Sequence, residues 1–148
     1  MARITSYPSV IPTTSDLVVG TQITNGGTNQ TNPTKNFTVG NIVKAGLGYT
    51  AYTALLTQVD GAAPVATVLK NNTNATLTWS RVNNGDYNVT ASSNLFTNNK
   101  TLVFVNAGSH SNTHNVYWER VSDTVIKIKT HNSDNDLTNA SFEVRIYS

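Results

Sequence analysis

Between Tyr49 and Tyr147, apolar residues return at every second position in short runs that turn signals cut off. This alternation constrains the fold more than any other feature. Successive strand side chains point to opposite faces, so a one-sided apolar set must find a second apolar layer. Thr76–Arg81, with Leu77 and Trp79 on one face, and Tyr87–Ala91 flank Asn83-Asn84-Gly85-Asp86. That tetrapeptide is the strongest turn signal in the chain and predicts a hairpin. Tyr49–Val59 places Tyr52, Ala54 and Leu56 on one face and is turned by Asp60-Gly61; Val65–Leu69 follows Pro64, and Asn71–Asn74 reads as a loop. Thr101–Asn106 is apolar at nearly every position and reads as a central strand covered on both faces. Asn115–Val121 is a further strand. Thr124–Thr130 sets Ile126 and Ile128 inward with Lys127 and Lys129 outward. Ser141–Tyr147 sets Phe142, Val144 and Ile146 inward with Glu143 and Arg145 outward. If this last strand lies at a sheet edge, a neighbouring subunit could cover it. Strands at this spacing predict an all-β fold, a β-sandwich or jelly-roll-like domain.

Composition agrees. Charged residues are only 12 % of the 148, about half the usual share. Polarity comes from Thr, Ser and 20 Asn. Thr suits pleated strands, and Asn suits turns. The length fits one domain and not comfortably two. Without cysteine there is no disulfide framework and no cysteine-ligated metal. The net charge is +2 and the basic residues are dispersed, whereas a nucleic-acid binder concentrates them. No run approaches the roughly 18 apolar residues of a membrane span. Met1–Pro8 has no apolar stretch of the kind a signal peptide needs. The expectation is therefore no nucleic-acid partner and no membrane.

Residues 1–47 differ from the rest. They hold Pro8, Pro12 and Pro33, a polar run Thr24–Asn32, and small apolar islands. Such islands do not offset the entropy of ordering a backbone. Asp16–Ile23 and Lys35–Val39 pair as a loose hairpin, or the segment is an extended N-terminal arm that orders only against a partner. A short helix is expected from Val39 to Ala45, ended by Gly46 and Gly48. This divides the chain into an arm, 1–47, and a β-sandwich domain, 48–148.

No catalytic constellation is evident. Paired-carboxylate hydrolysis needs two acids in one cleft. Asp60 and Asp86 fall in turns, Asp123 precedes a strand, and Glu119 and Glu143 alternate with inward residues. Asn132–Asp136 is the best calcium candidate, but it lacks the glycine and closing glutamate of a helix-flanked calcium loop. His110 and His114 sit in a loop, where a spacing of four fixes no geometry. There is no Gly-x-Ser-x-Gly elbow and no phosphate-cradling loop. The reading is no catalytic residue, no metal site and no cofactor. Trp79, Trp118, Tyr52 and Tyr87 are expected in the core. Tyr117 is the exception, because Val116 and Trp118 take the opposite face, and it is the candidate glycan contact.

Two phrases carry a resemblance. Thr14-Ser15-Asp16-Leu17-Val18-Val19-Gly20-Thr21-Gln22 and Thr34-Lys35-Asn36-Phe37-Thr38-Val39-Gly40-Asn41-Ile42 resemble an N-terminal motif of tailed-bacteriophage virion structural proteins. Gln22 replaces the Asp usual there. Tyr49–Gln58, Ala63–Leu69, Leu77–Arg81 and the closing Asn139–Tyr147 resemble a β-domain recurrent in phage virion proteins. The resemblance implies a non-enzymatic head-fibre, capsid-decoration or tail-fibre subunit of the virion, assembled in the host cytoplasm. The arm would attach it to capsid, tail or portal components, through Asp16, Leu17, Gly20, Lys35, Asn36 and Phe37. The β-domain would project outward or pack as a homotrimer. A host surface glycan is the further partner it allows.

Overall fold

The chain divides into two compact units, Met1–Gly48 and Tyr49–Ser148. The computed structural model describes residues 11–22, 34–106, 116–130, 137 and 139–148.

In the first unit, β1 (Leu17–Thr21) pairs antiparallel with β2 (Thr34–Thr38), and helix α1 (Val39–Leu47) follows directly. Of the two readings of the arm, the hairpin is the one realised. Nine residues make a helix that is marginal alone, and its first turn is held from outside. Val39 N–H donates to the Asp16 carbonyl at 2.9 Å and Gly40 N–H to the Thr14 carbonyl at 3.0 Å. Asn41 N–H donates to Thr38 Oγ1 at 3.1 Å. Three N–H groups that a helix start leaves without partners are thereby satisfied. Gly40 permits this, since a Cβ there would lie 3.1 Å from the Thr14 carbonyl oxygen. The helix runs through Gly46 and closes on Gly48, at φ 67° in the left-handed region. It is thus two residues longer than the sequence suggests, because only Gly48 takes the αL cap.

The second unit is a β-sandwich. One sheet has the order β4 (Val65–Asn71), β3 (Tyr49–Thr57), β10 (Ala140–Tyr147), β7 (Thr101–Asn106). The other has the order β5 (Leu77–Asn83), β6 (Asp86–Ala91), β9 (Val125–Thr130), β8 (Val116–Arg120). Every pairing is antiparallel. The β5–β6 hairpin turns at Gly85, φ 69°. The inner faces interdigitate: Trp79 meets Phe142 edge-on, with centroids 5.0 Å apart at 82°, and Phe142 meets Tyr52 at 6.1 Å. Tyr87, Ile126 and Ile128 are fully buried, as is Phe96 on the segment between β6 and β7. Burial pushes the Tyr52 phenol above its ordinary pKa.

A buried amide closes one end of the sandwich. Gln58 donates through Nε2 to the Ala62 carbonyl at 2.9 Å, and its Oε1 accepts from Leu137 N–H at 2.9 Å. One side chain therefore fixes both the turn after β3 and the approach to β10.

One expectation about strand position is corrected, and one condition is not met. Thr101–Asn106 is an edge strand, with Leu102 39 % and Phe104 47 % exposed, and is not covered on both faces. Its unbroken apolar run reflects an apolar outer face as well as an apolar core. The last strand is not at an edge: β10 lies between β3 and β7. Among the described residues the edges are β4 and β7 in one sheet and β5 and β8 in the other.

Candidate functional site

In the first unit the segments around Asp16 and Lys35 form one hairpin that leads into α1. Asp16 closes a turn: its carboxylate accepts from Thr13 N–H at 2.7 Å, while its own N–H donates to the Thr13 carbonyl at 3.2 Å. Gly20 lies beneath the Phe37 ring, which a Cβ would meet at 3.2 Å. Asp16, Gly20 and Phe37 thus shape the motif itself. Leu17, Lys35 and Asn36 are exposed. Lys35 stands opposite Gly20, and Asn36 opposite Val19. The helix is expected from the sequence, but its apolar face is not. Val39, Ile42, Val43, Gly46 and Leu47 recur at i, i+3, i+4, i+7 and i+8, an apolar stripe. No residue of the helix is buried, and Ile42 is 46 % and Val43 55 % exposed. Leu17, Val18 and Val19 of β1 are exposed as well, with Val18 on the strand face opposite to Leu17 and Val19. The spacing of the helix stripe was readable in the sequence; its exposure was not.

In the second unit a cavity of about 460 Å³ runs along edge strand β7. Tyr117 and Trp118 of β8 bound one side, and Thr53, Ser141 and Glu143 of the first sheet the other. Tyr117 is half exposed, whereas Trp79, Tyr52 and Tyr87 are in the core and Trp118 packs against it. Lys129 Nζ stands 5.9 Å from the Tyr117 ring and 3.6 Å from Glu119. Thr53, Ser141 and Asn106 line the cavity with polar side chains that bond no other described residue. Among the described residues Glu143 is the one carboxylate in the lining, and it is committed to Arg145.

The outer face of the same sheet carries a group that the sequence reading missed. The Arg145 guanidinium is 5.0 Å from the Tyr49 ring centroid and 5.0 Å from that of Phe104. Tyr147 stacks at a tilt on Tyr49 at 5.3 Å. The hydrogen bond to Glu143 holds the Arg145 pKa above its ordinary value, against a smaller effect of burial. The pairings β3–β10 and β10–β7 bring these residues together, and they join strands far apart in sequence.

The remaining acids are separate. Asp123 pairs with Arg120, and Asp86 with Lys127 at 3.6 Å. Among the described residues no three His, Asp or Glu cluster as metal ligands. The calcium candidate Asn132–Asp136 and the loop holding His110 and His114 lie outside the described residues. No helix among the described residues is long and apolar enough to cross a membrane. Comparison with protein-family models, curated proteins and solved structures finds no match.

Proposed function

We propose that this chain is a non-enzymatic virion structural subunit, attached to capsid or tail through residues 1–47 and presenting a β-sandwich outward. One observation carries the reading. The first unit has a defined hairpin and capped helix, yet its apolar side chains at Leu17, Val19, Ile42 and Val43 are exposed. A motif that leaves such a surface open is suited to a partner. The resemblance of its two phrases to phage virion proteins says which kind of partner. Removing residues 1–47 should abolish incorporation into particles and leave the sandwich folded by circular dichroism. Truncated chains in purified particles at the full-length level would contradict the proposal.

A second reading, adhesion to a host glycan, is favoured by Tyr117 at the lip of the β7 cavity. An aromatic face beside Thr53, Ser141 and Asn106 side chains that bond no other described residue suits a neutral sugar, whose hydroxyls need donors and acceptors and whose C–H face stacks on rings. Tyr117→Ala should then weaken binding on a glycan array about tenfold. An array with no signal for the unmodified protein would remove this reading.

A further inference from the structure

Arg81, near the end of β5, is short of an anion. Among the described residues the other two arginines each meet a carboxylate, Arg120 at Asp123 and Arg145 at Glu143. Arg81 meets only neutral acceptors. Its Nη1 donates to the Gly61 carbonyl at 2.6 Å, and its Nη2 donates to the side-chain oxygen of Asn84. Its Nε is buried without a partner. The guanidinium thus bridges the turn after β3 and the β5–β6 turn. A carboxylate in place of the Asn84 amide would satisfy it better, because a charged acceptor bonds a guanidinium more strongly than a neutral one.

The local sequence can supply that carboxylate. Asn84 is exposed and precedes Gly85, and no other described asparagine precedes a glycine. With glycine in second place, no Cβ shields the backbone nitrogen from the side-chain carbonyl carbon, and the backbone can swing toward it. Gly85 already sits in the left-handed region, at φ 69°.

We propose that Asn84 is a site of spontaneous deamidation, directed by Arg81. The Gly85 nitrogen gives up its proton and bonds to Cγ of Asn84. The Cγ–Nδ2 bond breaks, and the nitrogen leaves as ammonia, taking up the proton that Gly85 released. Solvent water then opens the cyclic imide to a carboxylate. Water is the only co-reactant. The guanidinium at Asn84 Oδ1 stabilises the negative charge that grows on that oxygen during attack. An open polar hollow of about 580 Å³, lined by Gly61, Arg81, Asn83 and Asn84, gives water access to the site. The backbone is held on both sides of the turn: Asn83 pairs with Asp86, and Thr130 N–H donates to the Gly85 carbonyl at 2.8 Å. These bonds slow the attack, since the turn must flex for it. They also select the product. Opening the ring to an α-linked aspartate keeps both pairings, whereas a β-linked residue would add an atom to the turn. The new carboxylate stays on Arg81 and tightens its bridge to Gly61.

The test is peptide mapping by mass spectrometry of the full chain, incubated in mildly alkaline buffer, unmodified and as Arg81→Gln. Asn25 also precedes a glycine and is far from Arg81 in sequence, so it serves as the internal reference. The unmodified chain should convert Asn84 to aspartate, while Asn88, which precedes a valine, stays intact. Arg81→Gln should slow conversion at Asn84 about tenfold, the loss of one charged hydrogen bond in the transition state, and leave Asn25 unchanged. Circular dichroism checks the fold. A second measurement does not depend on that variant's folding. Asn84→Asp alone should raise the melting temperature by about 2–4 °C, as a partly exposed ion pair does. No conversion at Asn84, equal rates with and without Arg81, or an Asn84→Asp chain that melts no higher than the unmodified protein would each overturn the proposal.

Discussion

The two units handle their apolar residues in opposite ways. In Tyr49–Ser148 nineteen hydrophobic residues are buried, and the described residues of Met1–Gly48 contribute none to that core. The sandwich closes on itself because alternation supplies two apolar faces that meet at Trp79, Tyr52 and Phe142. The first unit takes its shape from backbone hydrogen bonds and a capping hydroxyl, and leaves its apolar stripe outside. A unit held by packing can stand alone. A unit held by local hydrogen bonds leaves its apolar side chains exposed.

The largest effect should come from cutting the core of the sandwich. Phe142→Ala removes the ring that both Trp79 and Tyr52 contact. It should cost about 3–5 kcal/mol in denaturant unfolding. A loss under about 1 kcal/mol would mean that packing is not what separates the units. Gln58→Ala comes next. It leaves Leu137 N–H and the Ala62 carbonyl without their partner in a buried place, which costs about 1–3 kcal/mol. Unfolding at the unmodified midpoint would show that water replaces the amide.

In the first unit the effects should be smaller and local. Gly40→Ala brings a Cβ to 3.1 Å from the Thr14 carbonyl and should weaken one hydrogen bond, about 0.5–1.5 kcal/mol. Hydrogen exchange should quicken at Gly40 and Asn41 while the sandwich amides stay unchanged. Spread of that change into β3–β10 would show that the units are not independent. The smallest effect concerns pH. The Tyr52 phenol is raised by burial, so its folded form favours the proton. That contribution is complete below the unfolded tyrosine value of about 10 and is lost as pH rises through the higher folded value. Melting temperatures should fall with pH in that alkaline window, and Tyr52→Phe should flatten the fall.

Much of the sandwich was legible from alternation. Leu77 and Trp79, Ile126 and Ile128, and Phe142 and Val144 all face the core as their spacing predicts. Alternation failed where both faces are apolar. Leu102-Val103-Phe104-Val105 shows no period, because Leu102 and Phe104 look outward from an edge strand onto an apolar surface. Phe96 and Leu137 are fully buried from segments outside the strands, where no repeat marks them. The Arg145, Tyr49 and Phe104 group depends on the register of strands distant in the chain, which no local pattern encodes. The helix stripe at Ile42, Val43 and Leu47 was in the sequence at the right period, but only the fold shows that these side chains are exposed.

The central claim is that the open apolar surface of the first unit is the attachment surface. Quantitative mass spectrometry of purified particles tests it most directly, comparing the unmodified chain with Ile42→Asp/Val43→Asp, two exposed positions on α1. The account predicts a variant whose sandwich melts within about 0.5 kcal/mol of the unmodified protein and which is absent from particles. A variant present at the unmodified copy number would contradict it.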